Sequence, residues 1–126
     1  MNVSYFEVYN ETIIDLLNRD NTGLEIRGST KDGFYVDNLT EIPVENAQKA
    51  MAVYTAGENE RTYASTNMNS NSSRSHVVLK LSIETRYMHS IRSYKSNLVL
   101  VDLAGSEGLA HSKTQGRNQR EGRMIN

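Results

Sequence analysis

The chain has 126 residues, enough for one small domain, and 37% of them are hydrophobic. Its formal net charge of -1 argues against a wholesale nucleic-acid or membrane-surface binder, which would be more basic. It has no cysteine, which excludes disulfides and thiol chemistry and fits a reducing compartment.

The opening MNVSYFEVYNE lacks a basic region followed by an apolar run, so no signal peptide is expected there. No apolar run elsewhere approaches the roughly 20 residues of a membrane helix. The β-branched and aromatic residues of Asn2–Tyr9 predict a strand. Its apolar side chains fall on both faces, as in an interior strand, yet nothing precedes it to pair with. ETIIDLLN reads as a short helical turn with Ile13, Ile14, Leu16 and Leu17 on its apolar side. LEIRGSTKDGFYVDNL predicts a hairpin, with arms Leu24–Arg27 and Phe34–Asp37 and Gly33 free to take a positive φ in the turn.

VENAQKAMAVYTAG predicts an amphipathic helix that runs on toward Arg61. Ala47, Ala50, Met51 and Tyr54 fall on one face, and Asn46 is suited to cap the N-terminus. A polar loop follows, from about Ser65 to Ser75. HVVLKLSIE alternates Val77, Leu79, Leu81 and Ile83 against Lys80, Ser82 and Glu84, as a half-buried strand does. After the polar connection RYMHSIRSYKS, the unbroken apolar run NLVLVD predicts a central strand buried on both faces. The tail is polar, with Lys113, Arg117, Arg120 and Arg123 opposed only by Glu121, and EGRMIN reads as the opening of a helix. No internal repeat or domain linker interrupts the chain.

Two stretches carry chemistry. In DLAGSE, Asp102 closes a buried strand, and ligands in open α/β sheets bind outside such strand ends. A carboxylate there can hold magnesium through water, and Gly105 lets its backbone N–H approach a phosphate oxygen closely. In NSNSSRSH, the Ser hydroxyls can ligate magnesium or bond a phosphate, and Arg74 offers a forked donor to a carboxylate or phosphate. Taken singly, such a Ser/Asn-rich stretch is a solvated loop and such an Asp a strand-end cap. Their occurrence together, in this order, favours phosphate chemistry. His76 reads as structural, and neither His89 nor His111 has metal-ligand spacing.

NMNSNSSRSH and LVDLAGSE resemble the switch I and switch II motifs of the kinesin motor domain. SYFEVYNETIIDLLN, YVDNLTEIPV, NERTYASTNMN and EGRMIN resemble kinesin context in the same order, so the likeness covers Met1 to Asn126. It implies an α/β fold, a piece of the P-loop NTPase motor domain whose central, mostly β sheet is flanked by helices. It also implies microtubule-stimulated ATPase chemistry with ATP and Mg2+, in the cytoplasm on the microtubule cytoskeleton. By motif, Asn69, Ser72, Ser73 and Gly105 fall on nucleotide-binding positions, with Ser72 and Gly105 at the γ-phosphate. Ser73 and Asp102 fall near Mg2+, Asp102 through water. Arg74 and Glu107 would form the ion pair that positions the attacking water, so catalysis would be placement and electrostatics. Arg27, Lys31, Lys113, Arg117 and Arg120 would face acidic tubulin, although a basic tail is otherwise simply solvated. No nucleic-acid or membrane partner is expected.

The sequence departs from that pattern in places. No GxxxxGK followed by Ser or Thr occurs anywhere in it. In kinesins that phosphate-binding loop precedes SYFEVYNE, so the chain is expected to be a partial motor domain, without the P-loop region and the C-terminal helices. Gly108 stands where kinesins usually carry Arg or Lys, and Asn71 where His is commoner. Without the phosphate-binding loop, this chain is expected to bind ATP poorly and hydrolyse it negligibly; Asn71 reads as tolerable. The alternatives are a non-catalytic microtubule-binding or kinesin-partnering module, or a truncated gene product whose first strand lacks neighbours and whose open edges invite aggregation.

Overall fold

The computed structural model describes residues 1–31, 33–68, 75–88 and 91–105. Strands β1 (Asn2–Tyr9), β2 (Thr12–Asp15), β5 (Ile42–Pro43), β6 (His76–Arg86) and β7 (Ser93–Asp102) form a five-stranded sheet. The order is β2-β1-β6-β7, with β5 paired to the start of β1, and every pairing is antiparallel. Strands β3 (Glu25–Ser29) and β4 (Gly33–Asp37) form a separate hairpin, close to the arms expected, with Gly33 at φ 82°. The helix α1 spans Ala47–Met68.

Strand β1 is an interior strand, but its neighbours come from later in the chain. Strands β2 and β5 flank one edge and β6 the other. The expectation that it would lack partners is therefore corrected.

A second correction concerns Thr12–Asp15, which is a strand rather than a helical turn. Asn10 and Glu11 take φ 50° and 61°, so the chain reverses in a two-residue turn and Tyr9 pairs with Thr12. Positive φ at both central residues is the hairpin turn whose twist matches the flanking strands. The β-branched pair Ile13 and Ile14 then suits an extended backbone better than a helix.

One sheet face meets α1. The register puts Val3, Tyr5 and Glu7 of β1 opposite Leu81, Leu79 and Val77 of β6, and these opposite Leu98, Leu100 and Asp102 of β7. Tyr5, Leu16 and Val77 are the buried centre, with Leu17, Tyr54 and Leu79 packed around it. Tyr54 lies 5.5 Å from Tyr5, ring centre to ring centre. Only part of the expected helix stripe is buried: Ala50 and Tyr54 face the sheet with Gly57, whereas Ala47 and Met51 are exposed. Asn46 caps the helix as its sequence predicts, its Oδ1 accepting from Lys49 N at 2.9 Å.

Strand β7 departs from the fully buried strand its composition predicts. Among the described residues it pairs on one side only, with β6, and all ten of its residues are exposed. Leu98, Val99, Leu100 and Val101 form a consecutive apolar run, so both faces are apolar. Helix α1 lies over the β1–β6 side and leaves an open groove of about 580 Å³ between itself and β7.

Candidate functional site

The start of β6 and the end of β7 lie side by side. His76 opens β6, immediately after SSRS, and Asp102 closes β7 opposite Val77. Antiparallel pairing thus sets Ala104, two residues past Asp102, beside His76. Asn69, Ser72, Ser73 and Arg74 lie outside the described residues, as do Glu107, Lys113, Arg117 and Arg120.

Asp102 is exposed and lines the groove beside α1, on the same face as Val77 and Glu7. Among the described residues its carboxylate makes no hydrogen bond or ion pair. An open, uncommitted carboxylate fits Mg2+, which keeps several waters and binds through one or two carboxylates. Among the described residues no group of three or more His, Cys, Asp or Glu could cage a metal, and a hydrated ion needs no such cage.

A polar cluster sits next to Asp102 that sequence reading did not single out. Glu58 and Arg61 of α1 line the same groove with Tyr5. Arg61 lies 3.8 Å from Glu7 Oε1 and 3.8 Å from Glu58 Oε1, while the Tyr5 hydroxyl donates to Glu58 Oε1. Burial first, then that hydrogen bond and the Glu58 charge, push the Tyr5 hydroxyl well above the ordinary phenol range. Tyr5 is therefore a protonated donor at any physiological pH. The Arg61 and Glu7 side chains are 15% and 9% exposed, so this cation is held between two acids, Glu7 and Glu58, at the wall of the groove that Asp102 also lines. The available signal was helical spacing. Tyr54, Gly57, Glu58 and Arg61 share one face, so two charges occupy the buried stripe.

Beyond β7, Ala104 N donates to His76 Nδ1 at 3.1 Å, and Ala104 and Gly105 are partly buried. The loop carrying Gly105 is thereby drawn against the start of β6. Of the cations expected to face a partner, Arg27 is committed within the hairpin: its Nε lies 2.8 Å from Asp37 Oδ2 and its Nη2 3.3 Å from Glu25 Oε2. Lys31 is exposed in the turn, where its backbone N donates to Ser29 Oγ at 3.3 Å.

The family profile of the kinesin motor domain matches residues 1–126. The chain belongs to the kinesin motor domain family. Among curated kinesins, it is 45% identical over 125 residues to kinesin-like protein KIN-12G of Oryza sativa subsp. japonica, covering 98% of this chain and 10% of that one. It is 45% identical over 130 residues to chromosome-associated kinesin KIF4 of Mus musculus, covering 100% and 11%. The chain thus spans about a tenth of the length of these kinesins. A solved fast kinesin superposes with a TM-score of 0.87 at 38% identity, over 98% of this chain and 35% of that one. The Kar3Vik1 motor and motor homology domain superposes with a TM-score of 0.80 at 30% identity, over 99% and 32%.

Proposed function

We propose that this chain supplies the two nucleotide-sensing loops, and part of the tubulin-facing surface, of an ATP-driven microtubule motor in the cytoplasm. The carrying observation is the Asp102 carboxylate at the end of β7, without a partner among the described residues and opposite Val77 at the start of β6, the strand that follows SSRS in the sequence. On this reading Asn69, Ser72, Ser73 and the Gly105 N–H contact the nucleotide phosphates. Ser73 and a water-bridged Asp102 hold Mg2+, which when bound offsets phosphate charge. Arg74 and Glu107 pair to orient the attacking water, so the chain's own contribution is positioning and electrostatics. Lys31, Lys113, Arg117, Arg120 and, less directly, Arg27 present positive charge to acidic tubulin.

These 126 residues contain no GxxxxGK followed by Ser or Thr, the loop whose backbone cradles phosphates. We therefore propose that they bind ATP weakly and hydrolyse it negligibly on their own. Calorimetric titration of the purified chain with ATP, with and without magnesium, tests this. Magnesium-dependent binding at micromolar ATP would overturn it.

The same missing loop favours a second reading, a non-catalytic module that binds microtubules. Co-sedimentation with microtubules, unaffected by nucleotide, is the outcome it requires.

A further inference from the structure

We infer that His76 is a positioning residue that ties the chain carrying Ser73 and Arg74 to the chain carrying Asp102 and Gly105. The functional meaning of this tie rests on the phosphate-sensing reading above; the tie itself does not.

The β6–β7 ladder ends at the pair Val77 and Asp102. Past that point the backbone of the second loop has no strand partner, and a partly buried N–H there needs one. Ala104 N finds it in a side chain, His76 Nδ1, at 3.1 Å. His76 is itself fixed, because it is the first residue of β6 and pairs with Val8 of β1. Its predecessor Ser75 is only 2% exposed.

The imidazole is thus a short strut between the start of β6 and the residues just past β7, with little freedom at its own end. Accepting at Nδ1 requires the neutral tautomer with its proton on Nε2. Chain positions make the strut informative. His76 stands two residues after Arg74, and Ala104 stands between Asp102 and Gly105. The bond orients the Leu103–Ala104 peptide, one peptide before the Gly105 N–H. A displacement at the start of β6 is therefore passed to Gly105 through one hydrogen bond, without crossing the sheet.

The test uses two substitutions that differ in where they place an acceptor. In His76→Asn the side-chain oxygen sits at the Nδ1 position, while in His76→Gln it sits one bond farther out, near Nε2. Amide hydrogen exchange is read by NMR on the full chain. His76→Gln is expected to speed exchange at Ala104 about tenfold, as loss of one ordinary hydrogen bond implies. His76→Asn should stay close to wild type, and Leu79 and Leu81 in the ladder should be unchanged in both. Adding Ser73→Ala should shift the Gly105 amide resonance in the wild-type and His76→Asn backgrounds and not in His76→Gln. Equal Ala104 exchange in wild type and His76→Gln overturns the inference. So does faster exchange spread through β6, which marks general loosening, or a Gly105 response equal in all three backgrounds. Micromolar ATP binding by the wild-type chain would overturn the weak-binding proposal above and leave these exchange results to decide on His76.

Discussion

The ring of Tyr5 lies against Gly57 with no room for a methyl group between strand and helix. A Cβ on Gly57 would overlap Tyr5 Cδ1, with Tyr5 Cε1 at 3.0 Å and Leu17 Cδ2 at 3.5 Å. Alanine would gain up to about 1 kcal/mol of helix propensity. Overpacking at the centre of the core costs about 1–3 kcal/mol, because neither ring nor helix can yield alone. Gly57→Ala is therefore expected to destabilise the chain by about 1–2 kcal/mol, read as a lower urea midpoint at unchanged slope. A midpoint equal to or above wild type would show that the helix can lift away from β1 freely.

Glu11 gives a change of opposite sign. It sits at φ 61° in the turn joining β1 to β2 and is exposed. A left-handed residue other than glycine costs roughly 1–2 kcal/mol, part of which glycine returns through its freer unfolded chain. Glu11→Gly should stabilise by about 0.5–1 kcal/mol. The comparison is thermal unfolding of the two chains, and a lowered midpoint would contradict the turn geometry.

That turn also shows where sequence reading stopped. The YNET segment lacks the Asn-Gly or Asp-Gly pair that announces a two-residue hairpin, so ETIIDLLN read as a helical turn. Strands β1 and β6 and the β3–β4 hairpin were legible because alternation and Gly33 speak for themselves locally. The β7 stretch was legible as a strand, but its burial depends on what covers it, which composition cannot specify. At the site, the apolar run NLVLVD made Asp102 legible as the end of a strand. The Tyr5–Glu58–Arg61–Glu7 cluster was hidden because its members come from two elements, and only the packing of α1 on β1 joins them. The Ala104–His76 bond was hidden for the same reason.

Tyr5 carries a pH signature. Its folded-state pKa is raised, first by burial and then by its bond to Glu58 and the Glu58 charge. The folded state therefore holds this proton more tightly than the unfolded chain, where a phenol titrates near about 10. Its contribution is fully present below that pH and is lost as pH rises from there toward the folded value. Stability of the wild-type chain should fall with pH above about 10, and Tyr5→Phe should flatten that fall. Urea midpoints over an alkaline series measure it. Parallel slopes for the two chains would mean that Tyr5 ionises as freely when folded as when unfolded.

The two hairpin cations should contribute unequally to any tubulin contact. Arg27 is held by Asp37 and Glu25, whereas Lys31 projects from the turn. Charge reversal at Lys31 should weaken microtubule co-sedimentation by severalfold at low salt, and Arg27→Glu by less. Salt should narrow the difference, since exposed charges are screened over about 8–10 Å at physiological ionic strength. Equal losses for the two variants would place the contact elsewhere on the chain.

The hairpin is hung from the sheet by a carboxylate. Asp15, 1% exposed, accepts from Leu17 N and Asn18 N through Oδ1 and from Asn21 Nδ2 and Thr40 N through Oδ2. Asn21 Nδ2 also donates to Asn38 O at 2.7 Å, just past β4. Among the described residues, no hairpin side chain belongs to the buried cluster around Tyr5, Leu16 and Val77, and Ile26, Phe34 and Tyr35 stand largely in solvent. The lobe's outward face thus adds little to the buried core. Its outward residues are free to diversify at little cost, so binding preference can drift while the scaffold stays fixed. The vulnerability is concentrated at one atom pair: an amide at position 15 would turn a donor toward two donors and release the lobe's orientation without emptying the core.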